Sequence, residues 1–433
     1  MDAHRKKRGR LDLIQNLAIT LLTVSAVVLF AATQLPTLQE SGGLHQWLSA
    51  SPAAGDSAPT QEAAALSAPV RIAVSGTYGR YGSLTLTTAD SDEFVLLATR
   101  LGEALGSARS FSPCDGEAFN DALSRLSIYY DFLEPLPLSV LAELMALPDM
   151  TAATASTCAR QLVISAAGDG SVQLLLWDGG STYLCCGTAI TYGDLEDTVS
   201  RYEVGNAYFA FDYAESSEAF LQVFSRSLFL TPLPQLPVLT AANSLADTDS
   251  LLTKLGFNPY TNSRYMESSG TEVITEGDQT VRLLPEGILR YQGSSKPVLS
   301  IDAADEVPTL EEAVRGAGQL LSQLLAGRSG DAALYLQRVQ QAGNTTVLRF
   351  GYQAGGVPIQ FADRTCAAEV VLSGTCVSAL TLCFRQYTAE GESSLLLPLK
   401  QAIAIAAQQP GKELFLAYTD SGGDTVSAAW LLE

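Results

Sequence analysis

Seven cysteines, two histidines and 46 carboxylates are the groups with which this 433-residue chain could make or break bonds. Their spacing narrows the choice. His4 and His45 are the only imidazoles, and both precede the apolar-rich body, so no Ser-His-Asp or Cys-His arrangement can be assembled within it. Zinc held by histidine fails on the same count. Cys114, Cys158, Cys185, Cys186, Cys366, Cys376 and Cys383 nowhere form the Cys-x-x-Cys spacing of fingers or ribbons. A phosphate-binding Gly-x-x-x-x-Gly-Lys-Ser/Thr loop and a Ser-x-x-Lys pair are both absent. Carboxylates remain, and composition alone leaves a glycosidase-type acid–base pair open. "DSDEF" and "DAADE" gather acids without the ligand spacing of a calcium loop. Both stand ahead of helical segments, where acids favour the positive end of the dipole. The sequence therefore implies no catalytic residues, no cofactor and no metal.

The stretch "LGFNPYTNSRYMESSGTEVITEGDQTVRLLPEGILRY" (255–291) concentrates a different chemistry. Tyr260, Arg264, Tyr265, Arg282 and Tyr291 are the residue types that dominate protein–protein hot spots, which makes them candidate ectodomain contacts. Each can equally be an ordinary turn or strand-face residue.

Charge divides the chain. Of 26 basic and 46 acidic side chains, residues 1–12 hold Arg5, Lys6, Lys7, Arg8 and Arg10 against Asp2 and Asp12. The remaining 421 residues carry 21 basic and 44 acidic groups, a surface that repels phosphate backbones and makes nucleic acid a poor partner. Between Asp12 and Glu40 there is no charge. The apolar run 13–35 exceeds the roughly 20 residues a helix needs to cross the hydrocarbon core. The basic cluster keeps the N-terminus cytoplasmic by the positive-inside rule, with everything after Pro36 outside a single-pass cell membrane anchor. A cleavable signal peptide is the alternative, since "VLFAAT" offers small residues. Within the span, Ala18, Ser25 and Ala26 permit close helix approach, and Gln15 and Asn16 can hydrogen-bond across helices. These five are the candidate membrane-helix contacts. Residues 36–69, rich in Ala, Ser, Gly and Pro, read as a flexible spacer.

Behind the spacer, helical and strand periodicities alternate. "DEFVLLATRLGEALGSA" and "EAFNDALSRL" show helical faces, whereas "SIYYDFLEPLP" is strand-like and gives way to the helix "LSVLAELMAL". "RQLVISAAGDGSVQLLLWDGGSTYLCCGT" predicts a three-strand meander with Asp-Gly turns, its adjacent Cys185 and Cys186 pointing to opposite faces. Three prolines in "TPLPQLPVL" mark a boundary, giving an N-terminal α+β domain at 70–235. A helix, "DTDSLLTKLGF", and a small meander fill 236–305. A C-terminal α+β domain at 306–433 repeats the scheme on a larger scale. A hairpin turning near Ser373-Gly374 would set Cys366 nearly opposite Cys383, where a disulfide is possible, although buried apolar thiols suit most of the seven cysteines. Helices segregated from antiparallel strands predict the α+β class.

Three segments carry a family resemblance. "LSIYYDFLEPLPLSVLAELM" (126–145), "LLTKLGFNPYTNSRYMESSGTEVITEGDQTVRLLPEGILRY" (251–291) and "FGYQAGGVPIQF" through "LCFRQY" (350–387), with the closing "AAWLL", resemble the YycH family and the repeat it shares with YycI and PepSY-like domains. The basic tail, single anchor and acidic ectodomain resemble it too, while the seven cysteines and the long spacer depart from its pattern. The resemblance implies a non-catalytic, membrane-anchored extracytoplasmic regulator of the essential cell-wall two-component histidine kinase of Gram-positive bacteria. It implies as partners that sensor histidine kinase and a related membrane-anchored regulator or a second copy. Exposed strand edges could accept a partner strand. Two other classes stay open: an extracytoplasmic ligand-binding or peptidase-inhibiting module, and a carboxylate-based cell-wall hydrolase.

Overall fold

A computed structural model describes residues 69–433 except 77–79, 84–91, 145–156, 214–217, 261–262, 294–298 and 364–365. The tail, the apolar run and nearly all of the spacer lie outside the described residues. Among the described residues, no helix is long and apolar enough to cross a membrane.

Alternating apolar residues build the first sheet. β1 (Arg71–Ser75), β2 (Tyr81–Ser83), β3 (Ser112–Pro113), β4 (Ser127–Pro137), β5 (Cys158–Ala166), β6 (Val172–Trp177), β7 (Tyr183–Gly187), β8 (Ala207–Phe209) and β9 (Leu228–Leu230) form nine antiparallel strands. Their order is β3-β7-β6-β5-β4-β1-β2-β8-β9. The Asp-Gly turns of β5–β7 are made as expected, with Gly170 and Gly179 at φ 84° and 88°, a region glycine enters without Cβ strain. β4 departs from simple alternation. Its register against β5 shifts between Asp131 and Leu136, and Leu133 adopts φ 67°. That bulge turns Asp131 into the interior, where it is fully buried.

Both faces of this sheet are covered. α1 (Asp92–Ser107) buries Leu97, Leu101, Ala104 and Leu105 at helical spacing. α2 (Gly116–Leu123) is started by Asp115, whose carboxylate accepts from Ala118 N at 2.8 Å. It packs Phe119, Ala122 and Leu123 into a second cluster on the opposite face, with Tyr129, Val163 and Trp177. α3 (Leu138–Leu144) follows β4 directly.

Beyond β9 the chain changes sheets through a cis Thr231–Pro232 bond. The second sheet has thirteen strands and contains β10 (Pro237–Asn243), the meander β11 (Ser263–Met266), β12 (Glu272–Glu276), β13 (Gln279–Leu283) and β14 (Ile288–Gln292), and the strands of the last third. Those are β15 (Ala332–Ala342), β16 (Thr345–Ala354), β17 (Val357–Phe361), β18 (Ala368–Ser373), β19 (Cys376–Cys383), β20 (Arg385–Ser393), β21 (Leu414–Asp420) and β22 (Thr425–Leu432). Pairing does not stop at residue 305. β14 pairs with β19 from Ile288↔Cys383 to Gln292↔Ala379, so the 236–305 meander extends the C-terminal sheet instead of forming one of its own. The β18–β19 hairpin closes at Ser373↔Cys376, as the Ser-Gly turn predicts. Within this sheet β17 and β21 run parallel. The class is α+β, with large antiparallel sheets and few helices.

One helix binds the halves together. α7 (Leu310–Leu325; the helices before it are Tyr192–Val199, Ala210–Tyr213 and Thr248–Lys254) begins with a capping box between Thr309 and Glu312. It buries Ala313, Val314, Ala317, Leu320, Leu321 and Leu324 in a core shared with Leu97, Leu138, Leu141 and Ile164 of the first sheet's layer. Ile301 presses against Gly316, where a Cβ would stand 2.6 Å from the Ile301 Cβ.

Candidate interaction surface

Two arrangements of charge stand out, one buried and one exposed. The buried one joins the sheets. Arg71 of β1 and Arg160 of β5 each bond the carboxylate of Glu413, at the threshold of β21, and each lies 3.5 Å from Asp131 of β4. Side-chain exposure is 7% for Arg71, 16% for Arg160, 6% for Glu413 and nil for Asp131. Two cations and two anions cancel, which is what permits burial of all four. Asp131 is further held by donation from Tyr129 Oη at 3.0 Å and Leu133 N at 2.8 Å. Burial alone would push its carboxyl up, but the Arg160 and Arg71 guanidiniums and these donors hold it below the usual carboxylate range. Phe415 lies 4.9 Å beneath the Arg71 guanidinium and Trp177 lies 5.5 Å from that of Arg160. This buried carboxylate pair is saturated by arginines and has neither the openness nor the unpaired acid that general acid–base work needs. It fastens two sheets together.

The exposed arrangement is legible only through register. Directly opposed residues of paired strands share a face. Following the pairs Tyr265↔Val273, Val273↔Arg282, Arg282↔Arg290, Arg290↔Thr381, Thr381↔Glu369, Glu369↔Arg349 and Arg349↔Arg338 traces one row across eight strands, from β11 to β15. At about 4.8 Å per strand the row is about 34 Å long. Arg282, Arg290 and Arg338 are exposed; Arg349 is half-buried. Arg349 bonds Glu369 at 2.7 Å, and Arg282 meets Glu267 at 3.3 Å. Arg282 and Arg290 stand directly opposite each other, as do Arg349 and Arg338, and like charges so placed are unfavourable in an isolated chain. On a body that is otherwise acidic, this is a basic stripe.

The sequence-derived contacts distribute unevenly around it. Tyr265 ends the stripe on β11, the edge strand, whose four residues are all exposed and which pairs with β12. Tyr260 is 90% exposed just before it, and Met266, 64% exposed, closes the strand. Arg264 is committed internally. Its guanidinium bridges Asp249 at 2.9 Å and Glu272 at 3.0 Å, pinning helix Thr248–Lys254 to β12. The Asp249 bond first, then Glu272, raise its pKa further. Arg282 lies within the stripe. Tyr291 is a correction: it is 3% exposed, packs edge-on against Phe257 at 6.2 Å and donates to Gln279 at 3.3 Å. Alternation places Tyr291 in phase with buried Leu289, and opposite Val281. It belongs to the core, not to a surface. Gln15, Asn16, Ala18, Ser25 and Ala26 lie outside the described residues.

Sequence reasoning missed Arg290, Arg338 and Arg349, although a signal exists. "TVRLL", "ILRYQ", "VLRFG" and "LQRVQ" each set one arginine among apolar neighbours, the mark of an outward position on a half-buried strand. It also missed the buried cluster, whose members lie 253 and 342 residues apart. A surface cavity of about 420 Å³ is lined by Gly76, Ser124, Arg125, Leu126, Ala166, Ala167 and Tyr192, none of them a carboxylate.

No family model matches the chain, and no curated protein matches it. Among solved structures it is similar to the crystal structure of YycH from Bacillus subtilis, with a TM-score of 0.53 and 11% identity. The likeness covers 85% of this chain and 94% of that one. The fold is YycH-like over that 85% of the chain.

Proposed function

We propose that this chain is a non-catalytic regulator that modulates a cell-envelope sensor histidine kinase through contacts of a membrane helix at 13–35 and of its extracytoplasmic body. The observation that carries this reading is the YycH-like fold over 85% of the chain, in agreement with the segments through which the sequence resembles that family. Its chemistry agrees as well. Imidazoles are confined to the region before the folded body, and the buried Asp131 and Glu413 carboxylates are neutralised by two guanidiniums. What the body displays is a surface for touching: an edge strand with Tyr260, Tyr265 and Met266 exposed, separated by buried Val273 from a row of arginines. The stripe fits an acidic protein face, because partner carboxylates would relieve the opposed Arg282–Arg290 and Arg349–Arg338 pairs. The body then works as a docking module, with the membrane helix supplying a second contact through Gln15, Asn16, Ala18, Ser25 and Ala26.

The test separates anchoring from signalling. Replacing residues 13–35 with a foreign apolar helix, in cells that still export the body, is expected to change kinase-dependent transcription. Charge reversal at Arg282 and Arg290 is expected to change it independently. Unaltered output in both strains would overturn the reading.

A further inference from the structure

Cys114 and Cys185 lie 71 positions apart, yet the fold makes them neighbours. β3, the outer strand of the nine-stranded sheet, pairs with β7 through Ser112↔Cys185 and Pro113↔Leu184. The ladder continues one step further, with Cys114 N donating to Tyr183 O at 3.0 Å. Cys114 and Cys185 are therefore diagonal partners two residues out of opposition. They share one face, since side chains alternate along a strand. Pro113, between Ser112 and Cys114, turns its nitrogen away from β7 and costs the ladder nothing.

The surroundings single these two thiols out. Both are half-buried against the aromatic cluster of Phe119, Trp177 and Tyr183, and both line one cavity of about 140 Å³ beside α2. The two thiols are close neighbours there, and burial followed by the Cys185 sulfur pushes the Cys114 thiol up to about 12. Cys186 shows the contrast. One residue from Cys185 it faces the other way, is 7% exposed in the main core, and burial pushes its thiol up to about 11. Adjacent in sequence, Cys185 and Cys186 have different chemical lives.

We propose that Cys114 and Cys185 are a modification site: a dithiol that closes to a disulfide by exchange with a low-molecular-weight disulfide. The Cys185 thiolate attacks one sulfur of the small disulfide, forming a mixed disulfide on Cys185 and releasing one small thiolate. Cys114, which gives up its proton to solvent, then attacks the Cys185 sulfur and expels the second small thiolate. Two protein thiols are oxidised, one small disulfide is reduced to two thiols, and the protons balance. Cys114 follows because burial beside the Cys185 sulfur holds it protonated at the outset. Forming the mixed disulfide removes the neighbouring anion that opposed ionisation of Cys114, so the first step prepares the second. The product staples the outermost strand of the sheet, and the Asp115 cap that starts α2, to β7.

The full-length protein, purified with its membrane segment in detergent, is incubated with oxidised glutathione, alkylated with iodoacetamide and digested with trypsin. Peptide 110–125, carrying Cys114, is expected to be linked to peptide 161–201, which carries both Cys185 and Cys186. Cys185→Ser should abolish the link and leave Cys114 alkylated or glutathionylated, whereas Cys186→Ser should leave the link intact. In 8 M urea the selectivity should vanish, with Cys114 joining several partners. Absence of the 110–125 to 161–201 species from the folded wild-type chain overturns the proposal. So does a link that survives Cys185→Ser and disappears in Cys186→Ser.

Discussion

Glu413→Gln is the sharpest perturbation of the junction between the sheets. The glutamate is 5% exposed and accepts from both Arg71 and Arg160, so the amide keeps the volume while removing the charge. One amide oxygen can still accept a single guanidinium; the amide nitrogen is itself a donor and meets the other. What remains is two buried cations facing Asp131 alone, each 3.5 Å away. Breaking a buried pair from one side costs about 3–5 kcal/mol, and the retained acceptor places this change near the lower end, about 3 kcal/mol. For a body of this size unfolding as one, that corresponds to a fall of about 4 °C in Tm. Differential scanning calorimetry of the full chain measures it, and a cycle with Arg160→Gln isolates the coupling. We expect the double variant to lose less than the two single losses added, by about 1 kcal/mol or more, because the second change removes a cation that the first orphaned. The contrary outcome is a fall below about 2 °C together with simple additivity. It would mean that the cluster is decorative and that the shared apolar core alone holds the sheets.

Other outcomes follow from the same geometry. Reversing Arg282 and Arg290 to Glu should weaken capture of an acidic partner ectodomain by at least about tenfold and flatten its salt dependence. The Tm should fall only slightly, since the opposed arginines contribute no favourable pairing to each other and the Arg282–Glu267 ion pair that is lost is solvent-exposed. Tyr291→Ala should cost about 3–5 kcal/mol in chemical denaturation, whereas Tyr265→Ala should stay within about 0.5 kcal/mol and act only on partner binding. Glu134 carries a carboxyl whose pKa is raised above 4.5, by burial first and by Glu433 second. A raised acid pKa means that the folded state prefers the protonated form, so ionised Glu134 is a penalty at neutral pH that disappears in acid. Glu134→Gln should therefore raise Tm at pH 7 and have no such effect below pH 4. Asp131 and Asp420 run the opposite way. Their pKa values are lowered, so the stability they confer is complete above 3.8 and is lost only as pH falls through the folded values. Acid titration of Tm in Asp420→Asn should lose part of the wild-type fall below pH 4.

Much of the local structure was legible in the sequence, because local structure is written in local patterns. Helix α7 announces itself by Thr309, Glu312 and an apolar stripe, and the β5–β7 meander by alternation interrupted at Asp-Gly. Tyr291 could have been placed too. The alternation of "ILRYQ" puts it in step with Leu289, whereas its residue type is one frequent at interfaces. What was not legible is pairing at a distance. The arginine row exists only once β13, β14, β16 and β15 are aligned, and strand order is not stated by any segment of the chain. The same holds for the Cys114–Cys185 contact and for Asp131 with Glu413. In each, the residue types were visible and the topology that made them neighbours was not. The continuity of the meander with the last third was hidden for the same reason, since β14 meets β19 across some 90 intervening residues.

One feature of the junction bears on mechanics. The first strand of the body opens at Arg71, one of the two guanidiniums that clasp Glu413, and it runs between β4 and β2 in the interior of its sheet. Any pull or twist arriving along the preceding chain therefore enters at the seam where both sheets meet. A strand flanked on both sides yields by shearing its whole ladder, not by unzipping one bond at a time. Displacement at that point is delivered to the two halves together, so the body would respond to a pull at Arg71 as a single lever.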